Sequence, residues 1–534
     1  MLFFYRMDIS KQCNLVGIEQ ELCHTLFMRI FVLSLLLCCP VLAQWPDSSE
    51  SNLAICTSTG EQAITKIIAT DDGGCYVSWF DNRSGGYDVY LQRLDTDGNP
   101  QWQENGILIA DRNYSSTMDY DLDIDSDGNA VVVYRRNVIG GDGIVVTSVS
   151  PSGEIRWNQT VQGGGTFVAS PVICAVDTFV FVGWITNNDS KFQKLNSSGS
   201  LQWKSATVIS DPAGGYFLVS DVQPSIDESI ILSGVQYVTF SGTKRLKAQR
   251  ILHDGSFAWL NQVEVMESNS LQFGNFPDFI SDGNGGGFFT WYGVSPLQCY
   301  ATKISAMGFK WFAGEVQVAS SLGSTERTNP IAVRDGDEFV VFFRPQDNNQ
   351  NNDGISAQRF SENGGLLWGN SGVEIQPTSN VPQYGSFAAG MTDEGALLCF
   401  DEAPSWGTDV INAVSLNGKG VPNWSSGFVS VASTPSSKSR IAIDTTGDGV
   451  LIAWQDERTG TNDIYGQRVN SDGTLGNAES CMADIDGDGF VGVSDLLFII
   501  DAWGACICDA DIDSDGIVGV SDLLLIIDAW GACI

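Results

Sequence analysis

From residue 44 to residue 477 the chain repeats one plan eight times, and this periodicity limits its fold more than any other feature. A tryptophan follows a turn glycine by four residues at Gly98–Trp102, Gly153–Trp157, Gly199–Trp203, Gly255–Trp259 and Gly364–Trp368. Gly308–Trp311 is one residue shorter and Gly418–Trp424 two longer. With Trp45 these give eight signposts at a period of about 54 residues. Asp/Gly-rich turns lie between them and feed apolar runs: DDGGCYVSWFD from Asp71, DSDGNAVVVY from Asp125, DGNGGGFFTWY from Asp282 and DTTGDGVLIAWQD from Asp444. A further run follows in YDVYLQRLD at Tyr87 and NDIYGQRVN at Asn462. Alternation and β-branched or aromatic residues make these strands, and Asp-Gly and Asn-Gly pairs make the hairpin turns. No segment of this body reads as a sustained helix.

About four short antiparallel strands per repeat predict a mainly β fold, an eight-bladed β-propeller. Seven blades result if the weak repeat around 215–262 is an elaboration. The last repeat stops after Gly473 without its tryptophan strand, whereas Trp45 through Thr57 form an orphan strand. The N-terminal strand is therefore expected to complete the last blade and close the ring, which removes exposed sheet edges.

The C-terminal region, 478–534, follows a different plan. Residues 483–506 and 510–533 are the same 24-residue sequence, differing only at Gly487/Ser514, Phe490/Ile517 and Phe498/Leu525. Counted from Asp484, loop positions one, three, five and twelve are Asp484, Asp486, Asp488 and Asp495. The second copy gives Asp511, Asp513, Asp515 and Asp522. Gly489 and Gly516 at position six permit the sharp turn on which the carboxylates converge. Phe490 and Ile517 at position seven would each add a backbone carbonyl. This is the ligand pattern of a calcium loop, with Asp in place of the usual Glu at position twelve. Residues 481–534 hold eleven Asp and no Lys or Arg, so the segment is expected to need two calcium ions to fold. An apolar run of helix length follows each loop, with Gly504 or Gly531 as its expected cap. One such helix cannot bury its apolar side alone, but two related by a pseudo-twofold axis can.

The tandem resembles a type I dockerin, a small all-α calcium-folded module that plugs secreted proteins into a cohesin domain. The resemblance implies that Val493, Ser494, Val520 and Ser521, at loop positions ten and eleven, face the cohesin. It also implies two equivalent docking orientations, since the pair is the same in both copies. The body resembles the propeller-like repeats of secreted bacterial proteins. Its Trp-x-Asp-x-Arg pattern, at Trp79–Asp81–Arg83 and Trp454–Asp456–Arg458, reads as an Asp–Arg pair that fixes a blade loop.

Residues 28–43 carry a basic start, a short apolar core and a small-residue cleavage signal, and read as a signal peptide beginning at Met28. Residues 1–43 are then a leader, and the remainder is expected to be secreted, extracellular or held at the cell surface. The apolar stretch is too short to favour a membrane anchor, and nothing later in the chain spans a bilayer. A net charge of −36 excludes electrostatic binding of nucleic acid. Cys481, Cys506, Cys508 and Cys533 bracket the calcium repeats; an exported context permits disulfides among them, with the pairing open. Cys56, Cys75, Cys174, Cys299 and Cys399 read as buried thiols.

Outside the leader the chain has one histidine, His253, in a turn. A His-rich zinc site is excluded and a His-based nucleophile disfavoured. Nearly all Asp residues read as turn residues, so no catalytic pair stands out. Trp291–Tyr292 and Trp406 are candidates for stacking on sugar rings. Two readings stay open: a docked propeller that presents a binding surface in polysaccharide capture or breakdown, which is favoured, or a glycoside hydrolase or lyase on a propeller scaffold.

Overall fold

The computed structural model describes residues 44–534 except 113–118, 312–313, 321–324, 406, 478–482, 484, 487–489, 506–507, 509, 513–515 and 533–534. The leader, Trp406 and the loop positions Asp484, Asp488, Asp513 and Asp515 lie outside the described residues. So do Cys481, Cys506 and Cys533.

Eight four-stranded antiparallel sheets form the body. Their innermost strands are Gln62–Ala69, Tyr120–Ile124, Val168–Val176, Tyr216–Ser225, Phe279–Ser281, Glu326–Asp335, Gln383–Thr392 and Lys438–Thr446, here the inner strands of blades 1 to 8. Each packs beside the next, and the eighth packs beside the first, so the body is a closed eight-bladed propeller. In blades 1 to 7 the remaining three strands follow in chain order.

The last blade is closed by the first strand. Leu53–Cys56 pairs antiparallel with Asp463–Asn470, joining Leu53 to Gly466 and Ala54 to Tyr465. The expected orphan strand is thus real but shorter than 45–57, since Trp45 precedes it in irregular backbone. Trp45, Leu53, Ile55 and Cys56 are all buried. Each large apolar side chain contributes about 2 kcal/mol when removed from water, so closure is well supported by burial.

Apolar residues form clusters between neighbouring blades rather than one central core. Tyr76, Phe80, Tyr120 and Tyr134 join blades 1 and 2. Phe181, Trp203 and Phe217 join blades 3 and 4, and Phe288, Trp311 and Phe339 join blades 5 and 6. The second strands are buried on both faces, as Cys75–Asp81 and Gly449–Asp456 illustrate. That explains why their sequences are continuous apolar runs. Cys56, Cys75, Cys174, Cys299 and Cys399 are buried free thiols in these layers.

The eight tryptophan signposts act between repeats. Each indole N–H donates to a carbonyl in the turn of the next blade: Trp45 to Thr96, Trp102 to Pro151, Trp157 to Ser197, Trp203 to His253, Trp259 to Ala306, Trp311 to Glu362, Trp368 to Gly418 and Trp424 to Ser471. The N···O distances run from 2.6 to 3.1 Å. The turn glycine lies flat against that ring. At Gly98, with φ +87°, an added Cβ would stand 3.0 Å from the Trp45 backbone nitrogen and 3.1 Å from its ring. Glycine is needed here for both its left-handed backbone and its missing side chain. The same geometry corrects one spacing. The glycine in the seventh turn is Gly420, packed on Trp368, so Gly420 to Trp424 has the regular four-residue interval.

The Trp-x-Asp-x-Arg motif fixes a blade corner. The Trp79 indole and the Arg83 guanidinium both donate to Asp81, at 3.0 and 2.5 Å. Trp454, Arg458 and Asp456 repeat the arrangement at 2.9 and 2.6 Å.

The C-terminal repeats form two nine-residue helices, α1 (Val493–Asp501) and α2 (Val520–Asp528), which pack on each other. The region is not all-α. Phe490–Val491 pairs with Gly531–Ala532, and Gly504–Ala505 pairs with Ile517–Val518. Each loop therefore pairs with the end of the other repeat, as the pseudo-twofold reading requires. Gly504 and Gly531 lie in these pairs, and the helices end at Ala502 and Ala529 instead. A small core of Val491, Ile499, Val518 and Ile526 lies between the two halves.

Candidate functional site

Two regions carry chemistry: the channel that the inner strands surround, and the C-terminal repeats.

An inner strand shows one edge to the channel, and its free N–H groups need acceptors there. Side chains from the preceding blade supply them. Asp121 accepts from Ile173 N at 3.0 Å, Asp123 from Ala175 N at 2.6 Å, Asp221 from Phe279 N at 3.2 Å and Asp444 from Ala69 N at 2.8 Å. Bulges interrupt six inner strands, between Ala63 and Lys66 and again between Ser439 and Ala442, for example. They release further N–H groups, which are met in the same way: Ile64 N by Gln455, Ser170 N by Asp119 and Arg440 N by Ser386. Asp401 serves the bulge of its own blade through Ser386 N.

These aspartates differ from the turn aspartates that the sequence brings to notice. Asp444, read as the start of a turn motif, belongs to the inner strand of blade 8 and bridges to blade 1. Asp125 and Asp282 are turn residues as expected, accepting N–H groups from Asn129 and Gly286. The missed signal was the alternation Asp119, Asp121, Asp123, which is strand spacing rather than turn spacing.

Among the described residues the channel sets Lys66 among several carboxylates. Lys66 Nζ lies 2.9 Å from Asp121. Burial lowers the Lys66 ammonium, but Asp121, Tyr120 and Asp278 more than offset this and hold it above the ordinary lysine range. Burial pushes Asp123 up to about 7, against the bonds from Ala175 and Ile124. Burial and the neighbouring Asp278 push Asp221 up to about 8. Loss of bulk water around it raises Asp278 too, with Lys66 pulling it back and Asp121 adding to the rise. The pair holds a proton at pH values where an ordinary carboxyl has lost it. Asp401, enclosed and next to Asp409, is raised to about 7. Asp456, also buried, is lowered instead, because Arg458, Ser436, Trp454 and Lys438 surround it with donors and positive charge.

On the side of blades 5 to 8 the channel widens into a cavity of about 640 Å³. Asn275, Phe276, Pro277, Asp278 and Tyr292 of blade 5, Asn329 and Pro330 of blade 6 and Ser386 and Phe387 of blade 7 line it. Trp291 is a correction to the stacking candidates: it is 1% exposed and packs in the core between blades 4 and 5.

In the C-terminal repeats the position-twelve aspartates are buried at the start of each helix. Asp495 accepts from Ile485, Asp486 and Gly492, and Asp522 from Ile512 and Gly519. Burial raises the Asp495 carboxyl, but these N–H bonds win and hold it below the usual range. Asp511 accepts from Gly516 through Oδ2, while its buried Oδ1 has no hydrogen-bond partner among the described residues. An orphaned carboxylate oxygen at loop position one fits an oxygen-ligated cation.

No family model matches the chain. No curated protein matches it either. Similar solved structures include a protein from Lactobacillus plantarum, at 13% identity over 70% of this chain and 97% of that one, TM-score 0.38. Polysaccharide lyase Uly1 matches at 11% over 79% and 91%, TM-score 0.39. Prolyl oligopeptidase B from Galerina marginata matches at 12% over 74% and 55%, TM-score 0.41, so this chain spans about half of that enzyme. None reaches a TM-score of 0.5, and no functional reading follows from them. Among the described residues no helix is long and apolar enough to cross a membrane.

Proposed function

We propose that the chain is an exported, calcium-binding propeller that docks through its C-terminal repeats and presents its channel face to polysaccharide. The observation that carries the docking half is a surface. Six pairs of large apolar side chains are exposed at equivalent places in the two repeats: Phe490/Ile517, Val493/Val520, Leu497/Leu524, Phe498/Leu525, Ile500/Ile527 and Trp503/Trp530. Val493 and Val520 are 62% and 61% exposed. So much apolar surface on so small a unit is costly in water and marks a partner-binding site. Its twofold character fits a cohesin-type partner held in either of two orientations, with Ser494 and Ser521 beside the valines. Two calcium ions would be held by the loop aspartates, Asp486, Asp495, Asp511 and Asp522 among them, and by the carbonyls of Phe490 and Ile517. Their binding would order each loop against its helix.

The test is calcium-dependent binding of the full chain to a panel of cohesin domains. Val493→Asp or Val520→Asp alone should leave binding nearly intact, because the other repeat takes over. The double substitution should abolish it. Equal losses from both single variants would overturn the two-orientation reading, and binding that survives chelation would overturn the calcium reading.

A second reading is favoured by one observation, the Asp221–Asp278 pair. Two neighbouring carboxyls, one held protonated near neutral pH, are the equipment of glycoside hydrolysis. Reducing-end release from a polysaccharide panel, lost in Asp221→Asn, would establish a hydrolase. No release from any substrate would leave a binding propeller.

A further inference from the structure

The cavity on the blade 5 to 8 side carries a charge that the fold does not use. Among the described residues no hydrogen bond or ion pair reaches the Asp278 carboxylate, which stands exposed on the cavity wall. Its neighbours make matters worse for it. Asp121 repels it, Asp221 takes up a proton because of it, and the cation that acts on it among the described residues, Lys66, is already paired with Asp121 at 2.9 Å. A carboxylate placed among carboxylates favours any cation that can reach it.

The rest of the wall says what kind of cation. Phe276, Tyr292 and Phe387 supply aromatic faces, while Asn329 and Ser386 supply neutral polar groups. A bare metal ion would use the polar oxygens but leave the aromatic faces idle. A sugar ring stacks on aromatic faces and exchanges hydrogen bonds with amides and hydroxyls, and an ammonium group adds attraction to both the carboxylate and the rings. The approach is also aromatic. In a meander of this kind, the segments entering the inner strands and the hairpins between second and third strands share one face. Phe273, ahead of the blade 5 inner strand, and Phe240, in such a hairpin of blade 4, meet there with tilted rings 4.3 Å apart, 57% and 67% exposed.

We infer that this cavity binds an amine-bearing sugar, with the ammonium against Asp278 and the ring against Phe276 and Phe387. The inference rests on the reading of the propeller as a polysaccharide binder, and it narrows that reading: uronic and sulfated polymers are repelled, free amino sugars are held.

The experiment is calorimetric titration of the full chain with a glucosamine tetramer, the N-acetylglucosamine tetramer and a galacturonate tetramer. The glucosamine tetramer should bind, weaken as salt is raised, and bind at least tenfold more tightly than the acetylated one. Asp278→Asn should remove that preference, while Asp254→Asn, an exposed turn residue, should not. Equal binding of the amine and the acetamide, or an unchanged preference in Asp278→Asn, would overturn the inference and leave polysaccharide capture standing. No binding of any of the three would overturn the inference and count against capture as well.

Discussion

Asp401→Asn should stabilise this protein, and by an amount that depends on pH. Asp401 is buried at 7% exposure, and among the described residues no cation offsets the loss of water. Its carboxyl titrates at about 7 in the folded chain, against 3.8 when exposed. A raised carboxyl contributes its full stability only below its unfolded value, and loses that contribution as the pH rises through the folded one. Each unit corresponds to about 1.4 kcal/mol, so ionisation costs the fold up to about 4 kcal/mol by pH 8. About 2–3 kcal/mol of that develops between pH 5 and pH 7. Asparagine has the same shape and keeps an oxygen for the Ser386 N–H, yet never ionises. Urea unfolding of the wild type and the variant, followed by tryptophan fluorescence at pH 5 and pH 8, separates the terms. The variant should be the more stable at both, with an advantage about 2.5 kcal/mol larger at pH 8. Stability curves that run parallel between the two pH values would refute the reasoning.

Asp456→Asn should do the opposite. It strips charge from a site that holds Arg458 at 2.6 Å and Lys438 at 3.4 Å, and unfolding at pH 7 should show a loss of about 3 kcal/mol. Trp45→Phe keeps the ring on Gly98 but deletes the donor to Thr96, so thermal unfolding should show a cost of about 1 kcal/mol. Removing residues 44–57 leaves the edge of Asp463–Asn470 open, and light scattering should show association that the full chain does not undergo. A chelator should erase the circular dichroism of α1 and α2 while the β signal of the body persists; a spectrum that does not change would remove the calcium assignment.

The repeat count, the blade plan and the clasp at the ends were legible because each rests on local rules: strand alternation, turn glycines and the phase of the first and last units. What lay hidden was relational. The spacing of Gly98 and Trp102 in one repeat gives no sign that Gly98 packs on Trp45 and Trp102 on Gly153. Each contact joins neighbours in the ring. Gly418 drew attention because it is a glycine in the right region, but the left-handed residue against the ring is Gly420. The channel aspartates were hidden for a related reason. Asp121, Asp221 and Asp444 matter through N–H groups that sit more than fifty residues away, across a blade boundary. The C-terminal loops were read position by position, yet the exposed apolar pairs on and beside their helices emerged only when both repeats were seen folded together.

The clasp also orders events in time. A ribosome delivers Leu53 long before Gly466, yet the two share a strand pair, and Asn52 reaches Arg458 across 406 residues. The segment made first in the body must therefore wait, unpaired, while seven blades are produced behind it. Tethering those distant ends costs little extra per added residue, because closure entropy grows only logarithmically. What the arrangement demands is delay: a ring that stays open, and its leading segment unpaired, until its last blade arrives.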